Sequence, residues 1–100
     1  MNVYVKAENT TDITVQVEGR VDTTTAPDLE GEINSVMPKA NKITLDCSKL
    51  IYISSAGLRV LLSAHKAMAK KGGRFELCNV GEDIMEIFSI TGFSKILNIK

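Results

Sequence analysis

The sequence has no excess of either charge: twelve Lys and Arg balance twelve Asp and Glu over 100 residues. A net charge of zero gives no electrostatic footprint for nucleic acid or another polyanion. No apolar run approaches the roughly 20 residues that cross a bilayer, so direct membrane insertion is not expected. The opening "MNVYVKAEN" lacks the basic-then-apolar order of a signal peptide, which points to a cytoplasmic protein. Cysteine is scarce, with Cys47 and Cys78 far apart in strand-like sequence. Without a secretion signal they are expected as reduced core thiols and not as a disulfide. His65 is the only histidine, and no Cys-x-x-Cys or His-x-x-x-His spacing occurs, so neither a metal site nor a cofactor is expected. No linker, repeat or low-complexity segment divides the chain, and the length suits one domain over 1–100 with one core.

What is present is a regular change of period. "NVYVKAE" alternates, with Val3, Val5 and Ala7 on one face, as a half-buried strand does. "NTTD" (Asn9–Asp12) is turn chemistry, and "ITVQVEGRV" alternates again through Ile13, Val15 and Val17. The pair reads as an antiparallel hairpin that ends near Gly19. Next, Leu29, Ile33, Val36 and Met37 recur at helical spacing, with Thr25 as the expected N-cap and Asp28 completing an approximate capping box. Pro27 is tolerated in the first turn, Gly31 weakens the helix by up to ~1 kcal/mol, and Pro38 stops it. "KITLDC", with Ile43 and Leu45, reads as a central strand followed by a loop. A helix from about Ala56 to Lys71 gathers Leu58, Leu61, Leu62, Ala64, Met68 and Ala69 on one face. Arg59, Ser63, Lys66 and Lys70 gather on the other, and lysines in the last turn complement the helix dipole. "KGG" ends this helix. "RFELCNV" reads as a strand and "GEDIMEIFSITG" as a third helix, with Glu82 and Asp83 in its first turn, Ile84, Ile87 and Phe88 apolar, and Gly92 as its stop. "FSKILNIK" closes as a short strand or extended segment. The order β-β-α-β-α-β-α-β implies an α/β fold with a mixed β-sheet and right-handed crossovers.

At the centre stand two adjacent serines, Ser54 and Ser55, where an apolar strand turns into an apolar helix. A hydrolase nucleophile elbow needs Gly-x-Ser-x-Gly, and neither serine has it. The only imidazole, His65, lies ten residues along the helix from Ser55. That is about 15 Å, far beyond hydrogen-bond reach. His65 also falls within the apolar stripe and reads as a packed histidine. An enzyme is therefore not expected. No phosphate-binding glycine loop is present, so any phosphoryl donor must come from a partner. A helix cap accounts for one serine, worth ~1 kcal/mol. It leaves the other unexplained, along with Gly57, which would let another surface approach closely. A phosphate acceptor is a further reading, which the residues alone leave open beside a plain cap. The positive end of the helix dipole tolerates a phosphate, so its effect would fall on whatever docks there.

"LDCSKLIYISSAGLRVLL" resembles the signature of the STAS domain found in bacterial anti-sigma factor antagonists: a strand ending in Asp-x-Ser, an aromatic, an acceptor serine, a small residue, Gly-Leu and an apolar helix. The likeness extends to Gly19 and Asp22 in "VEGRVDTTTAPDLE", to "GGRFELCNV" and to "IFSITGFSKIL", so it covers essentially the whole chain. It implies a STAS-like fold and places the family's phosphorylated serine at Ser55. Ser54 stands where many members have aspartate, and Ala56 replaces a common serine or threonine. The implied mechanism is partner switching. The unmodified protein binds an anti-sigma factor that is also a serine kinase and supplies ATP, and so frees a sigma factor. Phosphorylation breaks that complex, and a PP2C-type, metal-dependent serine phosphatase resets it. The partner surface would then comprise Asp22, Thr23, Thr24, Ser54, Ser55, Gly57, Arg59, Ser63 and Lys66. On the residues alone, Arg59 and the lysines read as a solvated face before they read as a contact, and Asp22 reads equally as a cap for nearby backbone. A polar exterior without an apolar seam points to a monomer between complexes. Other uses of the fold remain open: a non-switching scaffold, or a small subunit of a lipid-transport ABC complex, with Ser55 mainly a cap.

Overall fold

The computed structural model describes residues 1–7, 9 and 11–100. Strands β1 (Asn2–Ala7) and β2 (Asp12–Val21) pair antiparallel. Thr10 of the expected turn lies outside the described residues. Beside it, Asn9 Oδ1 accepts from the backbone N–H groups of Thr11 and Asp12, each at 2.9 Å. Helix α1 (Ala26–Val36) runs into a 3-10 turn at Met37–Lys39 that holds Pro38. Strand β3 (Lys42–Ile53) leads into helix α2 (Ser55–Lys70). Strand β4 (Arg74–Cys78), helix α3 (Glu82–Thr91), a 3-10 turn at Phe93–Lys95 and strand β5 (Asn98–Ile99) follow. The order is the expected β-β-α-β-α-β-α-β.

In space the strands lie in sequence order, β1-β2-β3-β4-β5, with β2 to β5 parallel. Three right-handed crossovers that all step the same way put their helices on the same side of the sheet. The register supplies the matching apolar face. Ile13 lies beside Ile43 and Ile43 beside Phe75, while Val15 lies beside Leu45 and Leu45 beside Leu77. All six are buried, each worth about 1.5–3 kcal/mol against exposure. The alternate residues Thr14, Gln16, Thr44, Asp46 and Glu76 face the uncovered side, which is why they are polar.

Several sequence expectations are corrected. Val5 and Ala7 are exposed, because β1 is the sheet edge and only Met1 and Val3 pack against the core. Strand β2 passes Gly19, which takes φ 96° beside a register shift, and ends at Val21. No loop follows "KITLDC". Strand β3 continues with one extra residue between Asp46 and Lys49 and a second at Ile51. Such bulges break the period of two that marks a strand. The Asp46 carboxylate braces the first by accepting from the Ser48 N–H at 3.0 Å.

On α2, Ala69 is exposed and Leu62 half-buried, while Val60 joins the core. Lys71 does not end the helix as a free charge. Its Nζ reaches back to the carbonyls of Met37 and Ala40 at 2.6 and 2.9 Å, tying the ends of α1 and α2 together. Cys47 is in the core, where burial pushes its thiol up to about 12. Cys78 pairs in register with Asp46, is half-buried and faces the uncovered side, so it is not a core thiol. The exterior is not uniformly polar either, since Tyr4, Val5, Ile51, Ile90 and Ile96 are exposed.

Glu76 is only 5% exposed on the uncovered face, among Lys42, Arg74 and Lys100. Desolvation pushes its carboxyl pKa up. Lys42, Arg74 and Lys100 outweigh this and hold it below the ordinary 4.5. A carboxyl whose folded pKa is depressed adds stability above its unfolded pKa and loses it as pH falls through the folded value. Stability should therefore drop as the pH is lowered below about 4.5, and Glu76→Gln should flatten that drop while costing stability at pH 7. Urea midpoints of both proteins between pH 7 and about 3 measure this.

Candidate functional site

The site forms where two parallel strands end side by side. Val21 pairs with Ile53, and the Ser54 N–H donates to the Val21 carbonyl at 2.8 Å. That bond stops β3 and starts α2. Ser54 is the N-cap in extended conformation, and its Oγ accepts from the Gly57 N–H at 3.4 Å. Ser55 is then the first helical residue. Its side chain is exposed and makes no hydrogen bond among the described residues. The two serines thus have different roles: one closes the strand-to-helix junction and the other faces solvent.

Gly57 is buried. A Cβ there would lie 2.6 Å from Ile53 Cγ1 and 2.8 Å from Val21 Cγ1. The close approach it permits is that of α2 to its own strands. This corrects the expectation that Gly57 meets a partner surface.

The preceding turn is organised by Asp22. Its Oδ1 accepts from the Thr24 hydroxyl at 2.7 Å and from the Thr24 and Thr25 N–H groups at 3.0 and 3.1 Å. The Thr24 hydroxyl first, then the Thr25 amide, hold the carboxyl below its ordinary range. Thr25 is the N-cap residue of α1, but its side chain does not cap. Its hydroxyl accepts from the Asp22 N–H at 2.8 Å and donates to the Arg20 carbonyl at 3.0 Å. The expected Thr25–Asp28 capping box is therefore replaced by an Asp22 turn. Thr23 and Thr24 are exposed at its tip.

A groove of about 330 Å³ runs between α1 and α2 beside Ser55. Thr23, Ala26, Pro27 and Glu30 line one wall, and Ala56, Arg59, Val60 and Ser63 the other. Each wall is an i, i+3, i+4, i+7 stripe, the face one helix offers another. The structure thus brings Thr23, Arg59 and Ser63 together. Asp22 and Ser54 lie behind them at the strand ends. Thr24 is outside the groove lining, and Lys66, exposed further along α2, is also outside it. The sequence reading missed Glu30 and the apolar floor of Ala26 and Val60, although the stripe from Thr23 to Glu30 was there to be read. It also missed Arg20, whose guanidinium sits 4.3 Å over the Tyr52 ring.

His65 is half-buried, and its Nδ1 is buried with no hydrogen-bond partner among the described residues. Among those residues no group of three or more His, Cys, Asp or Glu side chains could hold a metal, and no helix is long and apolar enough to cross a membrane. The strand order also never reverses, so the sheet lacks the crevice where open α/β folds bind small ligands. What remains is an outward surface with a free hydroxyl.

The chain belongs to the STAS domain family, which it matches over residues 4–100. It is 31% identical over 99 residues to an anti-sigma-B factor antagonist of Bacillus subtilis, covering 99% of this chain and 90% of that protein. Among solved structures it resembles an anti-sigma factor antagonist from Mycobacterium paratuberculosis, at 25% identity and a TM-score of 0.86, covering 98% of this chain and 83% of that one. It also shares the fold of the Bacillus anti-sigma factor antagonist SpoIIAA. The unphosphorylated form of that protein matches at 13% identity and a TM-score of 0.78, covering 99% of this chain and 87% of that one. Its phosphorylated form gives the same TM-score of 0.78.

The two serines should separate by stability. Ser54→Ala removes a cap and should cost about 0.5–1 kcal/mol, whereas Ser55→Ala should change stability by less than about 0.5 kcal/mol. Gly57→Ala forces a methyl against Ile53 and Val21 and should cost about 1–3 kcal/mol. Urea unfolding of the three variants ranks them.

Proposed function

We propose that the chain acts as one domain, an anti-sigma factor antagonist of the bacterial cytoplasm whose binding is switched off by phosphorylation of Ser55. Unmodified, it binds an anti-sigma factor with serine kinase activity and so releases a sigma factor. That kinase supplies ATP and phosphorylates Ser55, and a PP2C-type serine phosphatase removes the phosphate. The carrying observation is the division of labour at the junction: Ser54 does the capping, so the Ser55 hydroxyl is exposed and committed to nothing.

The energetics support a switch at this position. Phosphate adds a charge of about −1.5 to −2. At the first helical residue the unpaired N–H groups and the dipole favour that charge, so the fold tolerates it. The first turn of α2 contains no acidic side chain to oppose it. In a desolvated interface the same charge costs several kcal/mol unless paired. Each 1.4 kcal/mol is about tenfold in affinity, so one phosphate turns a tight complex into a weak one. The docking face under this reading is Thr23, Thr24, Ser55, Arg59, Ser63 and Lys66, with Asp22 and Ser54 holding its backbone.

Phosphosite mass spectrometry on the native protein, in growth and under stress, should find Ser55 modified with an occupancy that changes. Phosphate on Ser55 should weaken binding to the anti-sigma factor kinase by at least about tenfold, and Ser55→Ala should stay bound when ATP is present. A Ser55 unmodified in both conditions, or a phosphorylated chain that binds that kinase as tightly as the unmodified one, overturns this reading and favours a non-switching scaffold.

A further inference from the structure

We propose that Arg59 is the residue on this chain that responds to the state of Ser55: a phosphate on Ser55 pairs with the Arg59 guanidinium and so removes a free cation from the docking face. The inference rests on the phosphorylation reading of Ser55 and assigns the switch a second, intramolecular half. Phosphorylation then acts twice, adding negative charge at the end of α2 and withdrawing a positive one from the groove.

The placement follows from helix geometry. Arg59 is four residues after Ser55 on α2, so the two side chains share a face with a rise of about 6 Å between them. Side chains on a helix lean towards its N-terminus, so the arginine stem extends from Arg59 towards Ser55. An anion N-terminal to a cation at this spacing is the favourable orientation, in line with the dipole. Arginine also presents the planar, multi-donor group that phosphate takes best.

Nothing nearby competes for either partner. Arg59 and Ser55 are both exposed, and among the described residues neither side chain makes an ion pair or hydrogen bond. Glu30 lines the opposite wall of the groove without an ion pair to Arg59 among the described residues. The Asp22 carboxylate is occupied by Thr24 and Thr25. The Ser54 cap is neutral, so no carboxylate beside Ser55 holds Arg59 in the unmodified state. Of the other cations, Arg20 lies over Tyr52. Lys66 is seven residues beyond Arg59, about 16 Å along the axis from Ser55.

The test installs phosphoserine at position 55 by genetic incorporation, with no kinase involved, and follows the second ionisation of the phosphate by phosphorus NMR. With Arg59 present, that pKa should be lower by about 0.3 unit than in Arg59→Gln, the size of an i,i+4 ion pair on a helix surface. Lys66→Gln should leave it unchanged. Equal values in the wild type and Arg59→Gln, or an equal shift in Lys66→Gln, overturn the pair. Either result leaves the switch at Ser55 standing, because that reading is decided separately by whether the phosphorylated chain still binds the kinase.

Discussion

The hydrogen bond from the Ser54 N–H to the Val21 carbonyl, 2.8 Å long, is the contact on which the site depends. It joins the ends of two parallel strands and stops β3 one residue before the helix begins. From that stop follow the cap by Ser54, the exposure of Ser55 and the position of the Asp22 turn against the same corner. Gly57 makes the arrangement possible, because any side chain there would strike Ile53 and Val21. A strand that turns into a helix without a loop leaves its first helical side chain little freedom of direction. A modification at that point is therefore presented in one orientation.

The topology explains why the candidate site is an open surface at a strand-to-helix corner. Strands laid down in sequence order place every helix on one side of the sheet and never open a crevice between crossovers. The uncovered side is kept polar by Thr14, Gln16, Thr44 and Asp46, and Glu76, a buried charge there, is held by three cations. The groove and Ser55 lie on the helix-covered side, at the corner where β2 and β3 deliver their following residues. A surface of this kind suits reversible protein contacts, and electrostatics is the term that one covalent event changes most.

Much of the fold was legible because burial imposes a period. Ile13, Val15 and Val17 announced β2, Leu58, Leu61, Ala64 and Met68 announced α2, and both face the core. The misreadings share one cause. The stretch between "KITLDC" and the helix reads as a loop because two bulges throw the alternation out of step, and only pairing with β2 shows that the strand continues to Ile53. Residue type favours Thr25 as a side-chain cap, but its hydroxyl is engaged by the Asp22 N–H and the Arg20 carbonyl at the end of β2. Ala69 fits the apolar stripe by angle, yet it is exposed while its neighbour Met68 takes the buried position in the last turn of α2. At the site, the motif pointed to the double serine and to Arg59. It gave no sign of Glu30, which becomes part of the groove only when α1 packs beside α2.

The sequence by itself determined the order of elements, the buried face of β2 and most of that of α2, the absence of a base within reach of either serine and the likeness of its central segment to the STAS signature. These are local quantities, set by composition, period and spacing. Tertiary structure alone decided which serine is the cap and which is free, and that Gly57 serves the core and not a partner. The reason is physical: where β3 stops is set by its pairing with β2 some thirty residues earlier in the chain, and a strand one residue longer would make Ser55 the cap and Ala56 the first helical residue.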